Sequence, residues 1–173
     1  MSDLRLSLIA LALLPLAVAC GDDDDPAGAG DSFSASLSGA EEVPPVTTTA
    51  TGTATFDIVG DQISYTVNVT NLTNAVVSHI HIAPDGENGP VRLNLCGTGD
   101  PVPACSTAPS GVLATGTNGT TVGTPAITFD ELVEAMRSGN AYVNVHTDNG
   151  TPPPNTGAGD MASGEIRGQI VAD

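Results

Sequence analysis

A series of short segments in which apolar and polar residues alternate is the feature that most constrains the fold. In the segment 62–72, Ile63, Tyr65, Val67 and Val69 occupy every second position and polar residues fill the positions between them. Because successive side chains of a strand point to opposite faces, this alternation predicts a half-buried strand. Seven further segments have the same character: 33–37, 51–59, 75–83, 91–96, 111–117, 141–147 and 164–171.

One helix is predicted within this pattern, over about 128–138. Thr128 and Glu131 fit a capping box, Arg137 stands in the last turn, and Gly139 is placed to end the helix. Many short strands, separated by turn residues about every ten positions, together with a single helix predict an all-β fold. We expect an antiparallel Greek-key or immunoglobulin-like β-sandwich or barrel.

The N-terminus predicts export. Arg5 precedes an apolar run over 6–18, and Ala19 supplies a small residue at the cleavage point. The run is shorter than the roughly 20 residues that a membrane-spanning helix needs. The Ala19-Cys20 junction resembles the lipobox of bacterial lipoproteins, although Ala17 stands where that motif usually has Leu. The resemblance implies that Cys20 carries a lipid that holds the protein to the membrane, and the alternative is an ordinary signal peptide cut nearby.

The segment that follows Cys20 has the composition of a solvated spacer. It is acidic and rich in Gly, Ala and Pro, with nothing to bury. By resemblance to Gram-negative lipoproteins, Gly21 lacks the inner-membrane retention signal, so an outer-membrane or cell-surface location is favoured over the inner membrane. The predicted organisation is a signal peptide over 1–19, a lipid-anchored tether over 20–31 and one domain over 32–173.

The cysteine count fits this organisation. With Cys20 lipidated, Cys96 and Cys105 remain as a pair in an oxidising compartment, which predicts a disulfide. Closing so short a loop contributes roughly 2–3 kcal/mol in the chain-entropy account. A metal or redox pair is the competing interpretation, but the CxxC spacing is missing.

The charge balance limits the partners. The chain has no Lys, four Arg and a formal net charge of −16. Such a surface repels phosphate backbones and anionic membranes, which excludes nucleic acid as a partner. The expected partners are therefore an unknown protein or small ligand.

Four ordered blocks carry a family resemblance. They are FSASLSGAEEVPPV (33–46) with ATGTATF (50–56), SHIHIA (78–83) with GPV (89–91), GNAYVNVHT (139–147), and GEIRGQI (164–170). Together they resemble the CHRD (chordin-type) domain family, found in bacterial secreted proteins. The departures are the Cys96–Cys105 loop and the polar segment 148–160, interpreted as a flexible surface insertion.

The family resemblance implies a β-sandwich module, but it implies no activity. Bacterial members have no agreed activity, and growth-factor binding by chordin is not transferred on fold alone. The hypothesis favoured at this stage is a non-enzymatic binding or structural module of the cell envelope.

The three histidines of the chain fall within these blocks. His79 and His81 are two apart in a predicted strand and therefore share a face, and His146 lies in another strand. If the two strands are neighbours, the three imidazoles converge and suit copper or zinc. Further oxygen ligands, chosen for their chemistry and not from a motif, could come from Asp85, Asp148 and Glu165. The segment 85–89 offers oxygen ligands for calcium.

Two interpretations of the histidines stay open. In the first, they form a hydrogen-bonded network that locks the sheet, joined by Glu165 and Arg167. In the second, they bind copper or zinc, and the H-x-H pattern is similar to that of copper-zinc superoxide dismutase, which implies a redox activity of that kind. No oriented nucleophile, Lys-containing phosphate loop or distinct carboxylate pair points to another catalytic class.

Overall fold

The computed structural model describes residues 31–98 and 102–173. Residues 1–30, which include the predicted signal peptide, Cys20 and nearly all of the tether, lie outside the described residues. The described residues form nine strands: β1 (Ser32–Ser38), β2 (Thr51–Val59), β3 (Gln62–Thr70), β4 (Ala75–Ile82), β5 (Val91–Cys96), β6 (Gly111–Asn118), β7 (Ala141–Thr147), β8 (Ile166–Gln169) and β9 (Val171–Ala172). A short 3-10 turn covers Gly39–Glu41.

All strands belong to one antiparallel sheet. Its order is β5-β4-β7-β8-β1-β2-β3-β6, with β9 paired to β1. The sheet curls until its edge strands β5 and β6 approach each other, where the Asn118 side-chain amide donates to the Asn94 carbonyl at 3.1 Å. The predicted all-β class is confirmed, in the form of a nearly closed, barrel-like sheet.

Alternation along the strands builds the core. In the β2–β3 hairpin, Phe56 faces Tyr65 and Ile58 faces Ile63, and all four are buried. Gly60 turns the chain between them with a φ of +59°, a conformation that favours glycine. The apolar side chains of the other strands close the interior of the barrel.

The helix α1 (Phe129–Arg137) forms as predicted. The Thr128 hydroxyl accepts from the Glu131 amide at 3.2 Å, and the Glu131 carboxylate accepts from the Thr128 amide at 2.7 Å, which completes the capping box. Leu132, Val133 and Met136 are buried from its apolar face. In the described part of the chain, no helix is long and apolar enough to span a bilayer.

The predicted disulfide is present. Cys96 at the end of β5 is bonded to Cys105 in the loop that leads to β6. Cys96 is buried and Cys105 packs against the core, so the bridge fixes this loop beside the closing edge of the barrel.

Candidate functional site

Three neighbouring strands carry polar side chains on their outer surface. The β4–β7–β8 register places His79, Asn144 and Arg167 in one row and pairs His81 with Tyr142 in the next. The alternate residues of the same strands enter the core. We call the outward set the covered polar face, and its members are His79, His81, Tyr142, Asn144, His146 and Arg167.

This face is covered by loops and withdrawn from solvent. The Asn88 amide donates to the Val43 carbonyl at 2.7 Å and its oxygen accepts from Arg167 at 3.3 Å. The Gly89 amide donates to the Tyr142 hydroxyl at 3.1 Å. The loop after β4 thus joins the loop after β1 across the face, and Arg167 is only 1% exposed.

The three predicted histidines are brought together. One ligating nitrogen from each of His79, His81 and His146 lies within 4.8 Å of the others. Their ring centroids are 5.3 Å apart for His79–His146, 5.8 Å for His79–His81 and 6.1 Å for His81–His146. The convergence arises because β4 and β7 are hydrogen-bonded neighbours and both strands turn their histidines outward.

Backbone carbonyls define the tautomers of two of these rings. His81 Nδ1 lies 2.8 Å from the Gly89 carbonyl, and His146 Nδ1 lies 3.0 Å from the Ala162 carbonyl. A carbonyl oxygen only accepts, so each Nδ1 carries the proton and each Nε2 keeps a free lone pair. His81 Nε2, His146 Nε2 and His79 Nδ1 are buried, and no group in the described residues hydrogen-bonds to them.

Burial keeps the histidines neutral. It lowers the pKa of His79 to about 4, with the neighbouring His146 and His81 adding to the effect. Burial likewise lowers the pKa of His81 and of His146, against the opposing contribution of their carbonyl hydrogen bonds. At neutral pH the cluster therefore presents uncharged imidazoles.

An aromatic stack supports the cluster on one side. Tyr142 lies nearly parallel to His81, with 4.8 Å between ring centroids and an interplanar angle of 13°. The Arg167 guanidinium carbon lies 3.5 Å from the Tyr142 ring centroid, in cation–π contact. These contacts hold the His81 ring in place.

Glu42 is a buried carboxyl in the block over 33–46, and the sequence patterns did not single it out. It is 5% exposed, and burial raises its pKa to about 7, although the Asn144 amide and the Arg167 charge act to lower it. Asn144 donates to Glu42 Oε2 at 3.3 Å, while Glu42 Oε1 and Asn144 Oδ1 are buried acceptors without a partner in the described residues. The block GAEEVPPV held the only sequence signal for this residue.

Gly164 closes the space beside these two side chains. A Cβ at this position would lie 2.5 Å from Asn144 Oδ1 and 2.6 Å from Glu42 Oε1, and its φ is +127°. Glycine is therefore needed here for both close approach and backbone conformation.

A cavity of about 490 Å³ lies between the covered polar face and its loops. His81, Tyr142 and Asn144 line it from the sheet, and Glu42 lines it from the loop after β1. Its apolar wall consists of Val43, Pro44, Pro45, Val46 and Met161.

The polar segment 148–160, predicted as a flexible surface insertion, is exposed over 148–156, and hydrogen bonds fix its C-terminal end. Asp160 is 2% exposed and accepts from the amides of Thr156 and Asn149 and from the Thr156 hydroxyl. The Gly159 amide donates to the buried Glu165 carboxylate at 2.7 Å. These internal bonds fold the segment over the sheet, where its residues 155–157 line the cavity.

The other candidate ligands do not join the histidines. Within residues 31–98 and 102–173, the three histidines are the group whose donor atoms converge, and Asp85, Asp148 and Glu165 are outside it. Glu165 accepts hydrogen bonds from Thr48, Thr147 and Gly159, so its carboxylate supports the loops.

Comparison with known proteins shows the family. No curated protein matches the chain. The family model of the CHRD domain matches residues 33–170, from the first strand to the residue between β8 and β9. The chain therefore belongs to the CHRD domain family.

Proposed function

We propose that this chain is an exported lipoprotein that displays its CHRD domain at the cell envelope as a non-enzymatic binding module. Its ligand site is the cavity between the covered polar face and the loops. The observation that carries the proposal is the presence of Glu42 and Asn144 at this cavity, each with a buried acceptor that has no partner in the described residues. Buried polar atoms are normally satisfied, and a bound ligand would supply the missing partners.

The chemistry of the lining indicates the class of ligand. Asn144 Oδ1 is an acceptor, and Glu42 Oε1 is one when its carboxyl has lost its proton, so a ligand that donates hydrogen bonds suits them. The protein has a net charge of −16, which disfavours an anion. The wall of Val43, Pro44 and Pro45 adds apolar contact. A small, neutral or cationic molecule with an amine or amide group fits these conditions.

Three probes of similar size test the cavity in metal-free protein: propylammonium, propionamide and propionate. We expect the first two to shift the NMR signals of the Asn144 side chain and the Gly164 amide saturably, and propionate to leave them unchanged. Thr47→Phe, at an exposed position of the lining, should abolish the shifts, whereas Thr115→Phe outside the cavity should retain them. Absence of any saturable shift, or shifts that survive Thr47→Phe, would contradict the proposal.

Lipid attachment is tested separately on the full chain. Radiolabelled palmitate is expected to enter the wild-type protein in a bacterial host and to be absent from Cys20→Ala. A wild-type protein without label, or equal label in both, would refute the lipoprotein assignment and leave the cavity proposal intact.

A further inference from the structure

The histidine cluster offers three imidazole nitrogens that the proposed binding of a ligand in the cavity does not require. We propose that His79, His81 and His146 form a site for one divalent transition-metal ion, zinc or copper, held by three imidazole nitrogens. This site does not depend on a ligand in the cavity. Three protein ligands leave a fourth position for water or another donor.

The distances suit such an ion. The three nitrogens lie within 4.8 Å of one another. Nitrogens around a tetrahedral zinc ion with bonds of about 2.0–2.1 Å lie roughly 3.4 Å apart. Binding an ion therefore requires the three nitrogens to move toward one another by about an ångström.

The hydrogen bonds orient the rings as ligands. In metal sites, the nitrogen that does not bind the ion usually donates to a carbonyl or carboxylate, which fixes the tautomer. His81 and His146 make this bond through Nδ1, to the carbonyls of Gly89 and Ala162. Their Nε2 lone pairs are therefore free to bind an ion, and His79 Nδ1 is likewise buried without a hydrogen-bond partner in the described residues.

A purely structural network would use these nitrogens differently. Each would accept a hydrogen bond from a nearby donor, since a buried acceptor without a partner costs free energy. In the described residues, no donor reaches any of the three atoms, and the rings make ring contacts with one another instead. A metal ion would satisfy all three lone pairs at once.

The donor set selects the class of metal. Imidazole nitrogens suit zinc, copper, nickel and iron, whereas calcium and magnesium require oxygen ligands. No carboxylate in the described residues joins the cluster. The net charge of −16 attracts cations generally and raises their local concentration. Zinc and Cu²⁺ are the ions to which we assign the site.

The test uses the untagged mature protein, stripped with EDTA and titrated calorimetrically with ZnCl₂ and with CuCl₂. We expect one ion per chain, and a loss of affinity of roughly 100-fold or more in His79→Gln and in His146→Gln. The variant with all three histidines replaced by Gln keeps the acidic tether and measures background binding. Thr115→Phe, outside both the cavity and the cluster, should bind metal normally. Because the cavity probes are titrated in metal-free protein, failure of the two proposals can be told apart.

A second measurement does not depend on the folding of any variant. X-ray absorption spectra of the zinc-loaded wild type should show about three imidazole nitrogens at about 2.0 Å. The chain contains three histidines, all in this cluster, so every imidazole in the spectrum belongs to it. Binding no stronger than in the triple variant, or an all-oxygen first shell, would overturn the proposal.

Discussion

Two regions of the same sheet carry polar side chains on their outer surface, and these side chains are exposed to solvent in one region and buried in the other. On β1, β2, β3 and β6 the outward residues are mostly Ser and Thr in contact with solvent, with cross-strand pairs such as Thr66 and Thr115 at 3.3 Å. We call this the exposed hydroxyl face. On β4, β7 and β8, the covered polar face lies beneath three loops, with Arg167 1% and Asn144 3% exposed.

The two faces differ in how much their polar residues lower the stability of the folded state. A hydroxyl in water needs no protein partner, whereas a buried polar atom without one is unfavourable by roughly 1–3 kcal/mol. The covered polar face holds several such atoms, including nitrogens of all three histidines. We infer that it is maintained for a function, and that the exposed hydroxyl face is ordinary solvated surface.

The largest contrast is expected between two glycines of positive φ, one at each face. Gly164→Ala places a Cβ against Asn144 and Glu42, whereas Gly111 has a φ of +112° and nothing within 4 Å of the added atom. Strain plus overpacking should cost Gly164→Ala roughly 3–5 kcal/mol of unfolding free energy, and strain alone should cost Gly111→Ala roughly 1–2 kcal/mol. Urea unfolding of both variants measures the difference, and equal costs would break the contrast.

A smaller contrast is expected for isosteric loss of a hydroxyl. The Thr147 hydroxyl is fully buried, donates to Glu165 at 2.7 Å and accepts from the Met161 amide at 2.9 Å. Thr147→Val should therefore cost roughly 1–3 kcal/mol, because both partners lose a hydrogen bond out of reach of water. Thr66→Val on the exposed hydroxyl face should stay within about 0.5 kcal/mol. Thermal unfolding of the two variants tests this, and a Thr66→Val loss as large as that of Thr147→Val would contradict it.

The third contrast is a change in pH dependence at Glu42. In the folded protein, burial raises the pKa of the Glu42 carboxyl to about 7, against an ordinary value of 4.5. Between these values the folded state binds more protons than the unfolded state, so this group makes stability fall as pH rises from 4.5 to 7. The side chain of Glu42→Gln is neutral at every pH. The melting temperature of this variant relative to the wild type should therefore rise as the pH increases from 4.5 to 7.

Glu41→Gln is the matched control for Glu42→Gln. It removes a neighbouring carboxyl that is exposed, and so controls for the loss of one negative charge. A difference between Glu42→Gln and the wild type that is the same at pH 5 and pH 8 would show that burial does not perturb this carboxyl.

Local pattern was enough to predict most of the strands and the helix. The alternation over 62–72 matches β3 (Gln62–Thr70), and Thr128 with Glu131 forms the predicted cap. Both depend on neighbours in the sequence, where periodicity and capping chemistry act. The fold class followed from the number and length of such segments.

The site was predictable only in part, because it depends on contacts between distant segments. The sequence placed His79 and His81 on one face, but only the pairing of β4 with β7 brings His146 to them. The burial of Glu42 could not be read from its turn, since Asn144 and Gly164 enclose it from more than a hundred residues away. Covering loops have no periodicity to indicate which face they will close over.

The measurement that tests the central claim most directly is long-range ¹H–¹⁵N NMR of the histidine rings at pH 7, in metal-free protein and after addition of zinc. We predict that His81 and His146 are neutral with the proton on Nδ1. Zinc should then shift the Nε2 signals of His81 and His146 and the Nδ1 signal of His79 together, at one ion per chain. Protonated Nε2 atoms in the metal-free protein, or ring signals that zinc leaves unchanged, would contradict the claim that the covered polar face holds three nitrogens free to bind a metal.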